Sequence, residues 1–587
     1  MVYRFTLLLA TLVCPFTVNA GQPPNIVLIL ADDMGYGDLG VTGNPVIRTP
    51  NLDAMFRRSA SMSTFYVSPV CAPTRASLMT GRYNYRTRCI DTYIGRAMMD
   101  TSEVTIAELL RDNGYATGIF GKWHLGDCYP MRPMDQGFQE SLIHRGGGIG
   151  QPSDPPGGEG KYTDPILFRN GVAEQQTGYC TDVYYANAMR FIEKSARQQK
   201  PFFVYLPDNC PHGPFHDVPM RDLEAYRNLD LANSAFPQDQ GHPLPAKADL
   251  ERRARIFAMI TNIDRNVGRL QEKLKALKIR DNTIVIFMVD NGPNGRRYVA
   301  GFNGDKSHVS EGGIRSPFFV QWPAHLKAGH SSDVPCAHID VLPTLLDAAE
   351  IQKPKQLKLD GLSMLPFLKG KSETVKDRSL VIQSHRGNRP VRYHHFMIRI
   401  GRWKLLHSSG FGREAFAGDP MFQLFDLAAD PYELHDQAAV QPKVVKQMRA
   451  EYDRWFADVG STRPDNYAPP RIHVGTKFEN PTVLTRQDWR HTKGRPWAPD
   501  SMGHWLLTTV QGTYDVRCRF SPSPHAGTAV FRANDNLVTI KLPPNVATCE
   551  FSGVNMPAGA MMLEVELRHG EKTRGVHQAE IEKKDQG

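Results

Sequence analysis

Five short apolar runs, each the length of one strand, constrain the fold of this chain more than any other feature of its sequence. They occupy residues 26–31, 116–120, 202–206, 283–289 and 318–322. Runs of this length and character are typical of strands that are buried on both faces. Helical patterns lie between them, and strands that alternate with helices predict an α/β fold with a mostly parallel central sheet flanked by helices.

The helical patterns between these runs have recognisable boundaries. Thr105 and Glu108 have the spacing of a capping box and predict the start of a helix that ends near Gly114. Longer amphipathic patterns cover residues 182–197 and 250–277. These helices are long enough to cover the faces of the predicted sheet.

The pattern changes after about residue 380, where short strands follow one another without long helices. A small antiparallel sheet is predicted from residues 394–400, 403–407 and 422–427, and residues 452–456 belong to a closing helix. Residues 463–495 are rich in Pro, Arg and Asn and resemble a linker. From Gly503 onward, short strands separated by turns predict a β-sandwich.

A chain of 587 residues exceeds what one hydrophobic core organises, so we expect several domains. The predicted parts are a signal peptide (1–20), an α/β domain (21–380), an α+β subdomain that completes it (381–462), a linker (463–502) and an accessory β-sandwich (503–587). The linker is the least regular of these parts in composition.

The first twenty residues predict export from the cytoplasm. Arg4 precedes an apolar run at residues 5–13, and Val18-Asn19-Ala20 forms a small-residue cleavage site before Gly21. The run is too short to span a bilayer, and no later apolar stretch reaches that length. We therefore expect a secreted or periplasmic protein without a membrane span, released by cleavage near Ala20.

The cysteines give no sign of a structural zinc site. Of the nine cysteines, Cys14 lies in the predicted signal peptide, and the other eight lack spacings such as C-x-x-C. Cys518 and Cys549 lie in the predicted β-sandwich, where they form either a disulfide or two buried thiols.

Polar residues follow four of the buried strands directly. The first strand ends at Asp32-Asp33, and the next three are followed by residues 121–124, 209–212 and 290–292. In open α/β sheets, ligands bind beyond the carboxyl ends of the strands. These segments are therefore predicted to meet in one crevice although they are far apart in sequence.

Asp32, Asp33, Asp290 and Asn291 offer only oxygen ligands. Three carboxylates in one crevice would repel one another, and a hard divalent cation resolves that conflict. Calcium suits a loose oxygen cage, whereas magnesium requires stricter geometry. Alternatively, each pair is a simple turn at a strand end. The presence of two such pairs favours the metal site.

Residues 68–82 carry the most informative motif. Cys71, Pro73 and Arg75 followed by Thr80-Gly81-Arg82 resemble the signature of cysteine-type sulfatases, with Met79 where leucine is commoner. Further segments match that family in order: 32–38, 121–126, 211–214, 304–306, 311–315 and 422–434. The chain thus resembles the sulfatase branch of the alkaline phosphatase superfamily from about residue 24 to residue 457.

The resemblance implies a modified nucleophile and a metal ion. Cys71 would be oxidised to formylglycine (3-oxoalanine) by a formylglycine-generating enzyme, and the hydrated aldehyde would attack sulfur. One calcium ion would acidify the attacking hydroxyl and neutralise sulfate charge. The residues implied as its ligands are Asp32, Asp33, Cys71, Asp290 and Asn291.

The resemblance also assigns catalytic roles to basic residues. Arg75 and Lys122 would hold the modified residue and the sulfate oxygens, and Lys306 would bind sulfate on the leaving-group side. His124 would act on the second hydroxyl. His212 is the expected general acid, because an unperturbed imidazole with a pKa near 6.5 donates a proton close to neutral pH. A helix is expected over residues 74–80, behind Cys71.

Five further residues are candidates for substrate binding. His144 and Arg145 lie in a glycine-rich segment where many relatives place a serine, and the alternative is a plain surface loop. His216, His308 and Arg315 lie near matched motifs, and structural hydrogen bonding explains them equally well.

The predicted function is hydrolysis of sulfate esters, with arylsulfatase-like activity on small aryl sulfates. A formal net charge of +9 and the predicted export favour a sulfated carbohydrate as substrate. No lysine–arginine run with interleaved aromatics points to nucleic acid, and no oligomeric state is predicted. The alternatives are a phosphoester or phosphonate monoester hydrolase and, ranked lowest, a catalytically silent glycan-binding protein.

Three aromatic residues of the C-terminal part have two interpretations. Trp497, Trp505 and Tyr514 could stack on sugars, or they could fill the core of the β-sandwich or its interface with the rest of the chain. The second interpretation is favoured.

Overall fold

The computed structural model describes residues 21–371, 375 and 378–584. The predicted signal peptide at residues 1–20 therefore lies outside the described residues, as does Cys14. Among the residues that the structure does describe, no helix combines the length and the apolar character that a bilayer span requires.

A mixed ten-stranded sheet forms the centre of the molecule. Its five middle strands run parallel to one another, as predicted. The strands, in spatial order, are Ser331–Ser332, Ala60–Met62, Phe319–Gln321, Thr283–Val289, Asn25–Ala31, Phe202–Pro207, Ala116–Lys122, Glu140–His144, Ile166–Arg169 and Val172–Gln175. This architecture confirms the predicted α/β fold class.

The middle strands are apolar on both faces because both faces of the sheet are covered. In the strand Asn25–Ala31, Ile26, Leu28 and Leu30 belong to one hydrophobic cluster, and the alternate residues belong to another on the opposite face. The strand Phe319–Gln321 is shorter than the predicted run and pairs antiparallel with Thr283–Val289. Prolines at 317 and 323 bracket it, and proline cannot donate to a sheet ladder.

Ten α-helices are described, most of them packed against this sheet or against the C-terminal subdomain. They are Pro50–Arg57, Cys71–Thr80, Ile106–Asp112, Cys180–Arg197, Met220–Glu224, Leu250–Ala276, Glu311–Ile314, Val341–Ala348, Leu365–Leu368 and Pro442–Ser461. The predicted capping box is confirmed: Glu108 N donates to Thr105 Oγ1 at 3.1 Å, and Thr105 N donates to Glu108 Oε2 at 2.8 Å. The two long predicted helices are confirmed to within two residues at each end.

A four-stranded antiparallel sheet and the helix Pro442–Ser461 follow the central sheet. The strands are Ser379–Gln383, Phe396–Ile400, Trp403–His407 and Gln423–Asp426. Three of them match the predicted strands, and Ser379–Gln383 was not predicted. Tyr452 and Trp455 of the helix are buried in the cluster that holds this sheet.

Two further sheets enclose a separate hydrophobic core near the C-terminus, as the predicted β-sandwich requires. One sheet contains Ile472–Val474, Arg490–Lys493, Met502–Thr509, Gly527–Ala533, Asn536–Leu542, Gly559–His569 and Lys572–Gly575. The other contains Thr482–Thr485, Gly512–Arg519, Thr548–Met556 and Gln578–Lys583.

The prediction of a linker over residues 463–502 is wrong where this range forms strands. Three short strands in this range, Ile472–Val474, Thr482–Thr485 and Arg490–Lys493, join the C-terminal sheets. Each has only three or four residues, so the Pro- and Arg-rich composition around them hides any alternation of apolar and polar positions.

The structure shows the burial of the aromatic residues of the C-terminal part and the relative positions of its two cysteines. Trp505 and Tyr514 are fully buried there, which agrees with the favoured interpretation for these two, whereas Trp497 remains partly exposed. Cys518 and Cys549 lie directly opposite each other on adjacent antiparallel strands, and both are free thiols in this structure.

A buried charge cluster joins the central domain to the four-stranded sheet. Lys404 Nζ lies 2.8 Å from Glu311 Oε1 and 2.8 Å from Glu433 Oε1, and all three side chains are almost wholly buried. Glu311 N also donates to Glu433 Oε2 at 2.8 Å. Lys404 therefore separates two carboxylates that come from opposite sides of the contact between the two parts.

We expect Lys404→Ala to destabilise the protein by about 3–5 kcal/mol, because it leaves the buried carboxylate of Glu433 without its counter-charge and removes one of the counter-charges of Glu311. The measurement is the shift of the unfolding transition in urea. Lys443→Ala, which removes an exposed lysine from the helix Pro442–Ser461, is the control and should shift it by less than about 0.5 kcal/mol. Equal shifts in both variants would contradict a structural role for the cluster.

Candidate active site

The predicted crevice forms where the parallel strands end. Asp32 and Asp33 follow the strand Asn25–Ala31, and Asp290 and Asn291 follow the neighbouring strand Thr283–Val289. Ala31 and Val289 are partners in the strand register, and Asp290 N donates to Ala31 O at 3.1 Å. Strand pairing therefore brings both acidic pairs side by side, and all four side chains are buried.

Cys71 lies against these carboxylates. One ligand atom each of Asp32, Cys71 and Asp290 lies within 4.8 Å of the other two. Cys71 is the first residue of the helix Cys71–Thr80, which thus begins three residues earlier than predicted, since Pro73 is tolerated in a first helical turn. Thr74 Oγ1 donates to Asp290 O at 2.7 Å and ties this helix to the crevice.

The thiol of Cys71 is only 2% exposed. Burial raises its pKa above the ordinary value, although Lys122 and Lys306 oppose that shift. The side chain is therefore held as a neutral thiol at a closely packed position, which is a poor state for direct attack on a substrate.

Arg75 is occupied by the crevice itself. Its Nε and Nη2 donate to Asp290 Oδ2 at 3.1 Å and 2.8 Å, and Nη1 donates to the Lys122 carbonyl at 2.8 Å. The guanidinium is fully buried. These contacts fix Asp290 and the end of the strand Ala116–Lys122, so Arg75 acts on residue 71 through the groups that it positions.

Two lysines and an asparagine contact the carboxylates of Asp32 and Asp33 directly. Lys122 Nζ lies 2.6 Å from Asp32 Oδ2, and Lys306 Nζ is paired with Asp33 Oδ1. Asn291 Nδ2 donates to Asp33 Oδ1 at 2.9 Å. Each of Asp32 and Asp33 thus uses one carboxylate oxygen for a lysine.

The pKa values of Asp33 and Asp290 shift in opposite directions because their neighbours differ. Burial and the nearby charge of Asp32 raise the pKa of Asp290 to about 6, against the opposing effect of Arg75. Burial acts in the same direction on Asp33, but Lys306, His212 and Lys122 outweigh it and hold the pKa of Asp33 below the ordinary value. The repulsion between Asp32 and Asp290 is the conflict that the sequence predicted.

The oxygen atoms that remain suit a hard divalent cation. Asp32 Oδ1, Asp33 Oδ2 and Asn291 Oδ1 are buried, and none has a hydrogen-bond partner in the described part of the chain. Unpaired buried oxygens are costly, whereas oxygen-only donor sets are what calcium prefers. The residues present therefore fit a calcium ion at this position.

The two predicted catalytic histidines lie at the edge of the crevice. His124 Nε2 contacts the Thr92 carbonyl at 2.7 Å, and its buried Nδ1 has no partner among the described residues. His212 Nδ1 donates to the Gly213 carbonyl at 2.7 Å, so its Nε2 faces Asp33 Oδ2 at 3.6 Å. Both rings are held by backbone carbonyls.

The expectation of an unperturbed imidazole at residue 212 is wrong. Burial lowers the pKa of His212 to about 4, even though Asp33 opposes the shift. Burial and Lys122 likewise place the pKa of His124 well below the ordinary value. Protonation of His212 near neutral pH therefore requires extra negative charge beside it, which a bound anionic substrate would supply.

The glycine-rich segment after His144 is not a surface loop, because residues 141–149 are all buried. A Cβ atom at Gly147 would lie 2.8 Å from His124 Nε2, and one at Gly148 would lie 2.7 Å from His212 Cε1. The two glycines thus pack directly against His124 and His212. No other residue type fits these positions without moving the rings.

The side chains of His144 and Arg145 contact other residues of the protein. His144 Nε2 lies 2.9 Å from Asp154 Oδ1. The Arg145 guanidinium stacks 4.0 Å from the centre of the Phe168 ring and lies 3.6 Å from Glu479. Both side chains are buried and support the glycine-rich segment.

The remaining substrate-binding candidates have mostly structural contacts. Arg315 Nη1 lies 2.8 Å from Glu311 Oε2, beside the cluster around Lys404. His308 is exposed and lies 2.7 Å from Asp305 Oδ1. His216 is exposed on the segment after His212. The structural alternative therefore accounts for Arg315 and His308.

Sequence reasoning missed two contributors to the site. Gln487, from the C-terminal β-sandwich, donates through Nε2 to the Thr92 carbonyl at 2.9 Å and lies 3.4 Å from His124 Nε2. Gln487 is separated from His124 by 363 residues and belongs to no matched motif. No local signal in the sequence could have revealed this contact.

A second buried group lies behind His212. Ligand atoms of Cys180, Asp208 and Cys210 lie within 4.8 Å of one another, which the cysteine spacing did not indicate. Thr181 Oγ1 donates to Asp208 Oδ1 at 2.8 Å, and Cys210 N donates to the same oxygen at 3.0 Å. These bonds fix the backbone that leads to His212.

Comparison with protein-family models gives two matches. A model described as "Sulfatase" matches residues 24–351, more than half of the chain. A model described as "N-sulphoglucosamine sulphohydrolase, C-terminal" matches residues 301–456. The two ranges cover the central domain and the subdomain that follows it.

Curated relatives agree with these matches. N-acetylgalactosamine-6-sulfatase from Mus musculus is 32% identical over 402 residues, which cover 63% of this chain and 70% of the relative. Arylsulfatase A from Homo sapiens is 30% identical over 479 residues, which cover 73% of this chain and 87% of the relative.

Solved structures show the same fold. The crystal structure of Ps i-CgsB is 29% identical with a TM-score of 0.63, and the alignment covers 74% of this chain and 93% of that chain. The structure of Ps i-CgsB in complex with k-i-k-neocarrahexaose is 29% identical with a TM-score of 0.62 and the same coverage.

We expect Ca²⁺ to raise the thermal unfolding midpoint of protein that has been treated with a chelator. At a free concentration 100 times the Kd, the stabilisation is about 2.7 kcal/mol. Asp32→Asn should require a higher Ca²⁺ concentration for the same shift, because it removes one charge from the oxygen cluster. Differential scanning fluorimetry across a Ca²⁺ titration measures both effects.

Asp281→Asn is the matched control for this titration. Asp281 is exposed and precedes the strand Thr283–Val289, at the opposite end from Asp290. It should respond to Ca²⁺ as the unmodified sequence does. A protein whose unfolding midpoint is indifferent to Ca²⁺, or an Asp32→Asn variant that matches the control, would contradict the proposed ion site.

Proposed function

The chain belongs to the sulfatase family and is a sulfuric ester hydrolase; we propose that it removes sulfate from a sulfated carbohydrate, with residue 71 as nucleophile after oxidation to formylglycine. The observation that carries this proposal is the meeting of Asp32, Cys71 and Asp290 within 4.8 Å at the carboxyl end of the sheet. The nucleophile signature and the oxygen cluster thus share one site, as the chemistry requires.

The proposed substrate class follows from the relatives and from charge. The curated relatives include N-acetylgalactosamine-6-sulfatases, and a structural relative is described in complex with k-i-k-neocarrahexaose. The formal net charge of +9 attracts an anionic polymer at long range. Small aryl sulfates should also react, because the contacts to sulfate itself would carry much of the recognition.

The calcium ion is proposed to bind Asp32, Asp33, Asp290, Asn291 and residue 71. When bound, such an ion neutralises the clustered carboxylates and lowers the pKa of a hydroxyl group that contacts it. Arg75 keeps Asp290 in place for this role through two hydrogen bonds to one oxygen. Lys122 does the same for Asp32 at 2.6 Å.

Formylglycine in its hydrated form supplies one hydroxyl that attacks sulfur and a second whose deprotonation releases sulfate and restores the aldehyde. His212 is proposed to protonate the departing alcohol oxygen through Nε2, since its Nδ1 is committed to the Gly213 carbonyl. The charge of the sulfate ester would raise the lowered pKa of His212 when substrate binds. Lys122 and Lys306 would hold the sulfate oxygens.

His124 is proposed to take the proton of the second hydroxyl. Its Nε2 contacts the Thr92 carbonyl, and its Nδ1 is left without a partner among the described residues. A neutral ring with one uncommitted nitrogen is suited to accept a proton. The low pKa of His124 means that this ring starts neutral.

We further propose that residues 21–462 form the catalytic unit, that the C-terminal sheets form an accessory domain, and that the protein acts outside the cytoplasm. The family matches end at residue 456, before the first strand of the C-terminal sheets at Ile472–Val474. The signal peptide predicted from the sequence supports the proposed location.

Cys71→Ala should lower kcat/KM on 4-nitrophenyl sulfate by roughly 10³-fold or more, because it removes the nucleophile. Mass spectrometry of the peptide that contains residue 71 should show an aldehyde in place of the thiol in the active protein. Cys549→Ser, in the β-sandwich, is the control and should retain activity.

The matched phosphate ester tests the reaction class in the same assay. We expect the sulfate ester to be hydrolysed faster than 4-nitrophenyl phosphate. A preference for phosphate, or a Cys71→Ala variant with undiminished activity, would overturn the proposal.

A further inference from the structure

A cleft of about 280 Å³ lies between residues 151–159, which follow the glycine-rich segment, and the C-terminal β-sandwich. We infer that this cleft binds a second sugar unit of a sulfated oligosaccharide, with Trp497 and Arg519 as its principal contacts. This inference rests on the proposed function. Its lining includes Gln151, Asp154, Glu159, Trp497, Arg519 and His577. The volume lies near the lower end of small-molecule sites, which suits one sugar ring.

The cleft is connected to the catalytic histidines through Gln151. A Cβ atom at Gly147 would lie 2.7 Å from Gln151 Oε1 and 2.8 Å from His124 Nε2, so both side chains lie against the same glycine. A Cβ atom at Gly148 would lie 3.2 Å from Gln151 Nε2 and 2.7 Å from His212 Cε1. We therefore place the sulfate at residue 71 and the second sugar on the far side of Gln151, in the cleft.

Two carboxamide oxygens on this path have no protein partner. Gln151 Oε1 and Gln487 Oε1 are buried, and neither accepts a hydrogen bond from any described residue. Buried polar atoms are normally paired, so two orphaned acceptors on one path point to a ligand that donates hydrogen bonds. Sugar hydroxyls are such donors, and each has one hydrogen to give.

Trp497 offers a fixed aromatic surface at the cleft. Its Nε1 donates to the Arg486 carbonyl at 3.1 Å, and its ring meets Tyr93 edge to face with centroids 5.0 Å apart. Arg386 in turn stacks 4.0 Å from the centre of the Tyr93 ring. The indole is held on one side and partly exposed on the other, an arrangement that suits the apolar face of a sugar.

The sandwich wall of the cleft is positively charged. Arg519 is exposed there and pairs with no carboxylate among the described residues, whereas Arg517, on the same strand, lies 2.8 Å from Glu580 and 3.0 Å from Glu582. Burial and the charges of Arg486, Arg574 and Arg519 lower the pKa of His577 to about 4. This wall therefore favours an anionic group.

The acidic residues of the opposite wall are already engaged. Asp154 contacts His144 Nε2 at 2.9 Å and accepts hydrogen bonds from the backbone of Gly150 and Gly160 at 2.8 Å and 2.7 Å. Glu159 accepts a hydrogen bond from Gly157 N at 2.8 Å. An anionic sugar would thus be oriented with its charge toward Arg519 and away from Asp154.

The test compares substrates of increasing length in the full chain. Trp497→Ala and Arg519→Ala are assayed on 4-nitrophenyl sulfate and on carrageenan and chondroitin 6-sulfate oligosaccharides of two, four and six sugars. In whichever of the two oligosaccharide series the enzyme desulfates, we compare kcat/KM on the oligosaccharide with kcat/KM on the aryl sulfate. We expect this ratio to fall about tenfold in each variant. Arg517→Ala, the matched control, should leave that ratio unchanged.

Binding provides a second measurement that does not depend on turnover. In a Cys71→Ala background, calorimetry should show a Kd that falls as a bound oligosaccharide lengthens from one sugar to two, and Arg519→Ala should abolish that gain. If substitution of Trp497 and Arg519 changes neither the ratio of kcat/KM on the oligosaccharide to that on the aryl sulfate nor the Kd, the proposed subsite is overturned. The proposed function would be unaffected by that result. An unsubstituted protein with no activity on any sulfate ester would overturn both the subsite and the proposed function.

Discussion

The crowding of three carboxylates at the ends of two neighbouring strands is the constraint on which the rest of the site depends. The register of Ala31 with Val289 forces Asp32 and Asp290 together, and burial together with the charge of Asp32 raises the pKa of Asp290. Arg75, Lys122 and Lys306 offset part of that repulsion, and the carboxylate and amide oxygens that they leave unpaired suit a divalent cation. The helix that begins at Cys71 is anchored to Asp290 through Thr74 and Arg75, so the position of residue 71 follows from the contacts at the strand ends.

Much of this arrangement could be predicted from the sequence because it is encoded locally. Apolar runs predicted four of the five middle strands of the sheet to within two residues, since strands covered on both faces contain few polar residues. The fifth, Glu140–His144, was not predicted. The capping box at Thr105 and Glu108 specified a helix start by its own hydrogen bonds. The rule that ligands gather beyond strand ends placed Asp32 and Asp290 together without any knowledge of the loops.

What could not be predicted depends on contacts between distant parts of the chain. Gln487 reaches His124 across 363 residues, and its neighbours in sequence look like a linker. The low pKa of His212 arises from burial of its ring, against which the distant Gly148 packs, and no pattern around residue 212 reveals this contact. For Arg315 the sequence left substrate binding and structural hydrogen bonding equally open, and its contact with Glu311, the partner of Lys404, favours the structural role.

The near-complete enclosure of Cys71 has a consequence for how the protein must be made. A side chain only 2% exposed, at the first turn of a packed helix, cannot enter the cleft of another enzyme once the domain has formed. The proposed oxidation must therefore occur on the nascent or unfolded polypeptide. Chains that fold before residue 71 is oxidised would keep their thiol permanently. The active fraction of any preparation would therefore depend on the relative rates of folding and oxidation during synthesis.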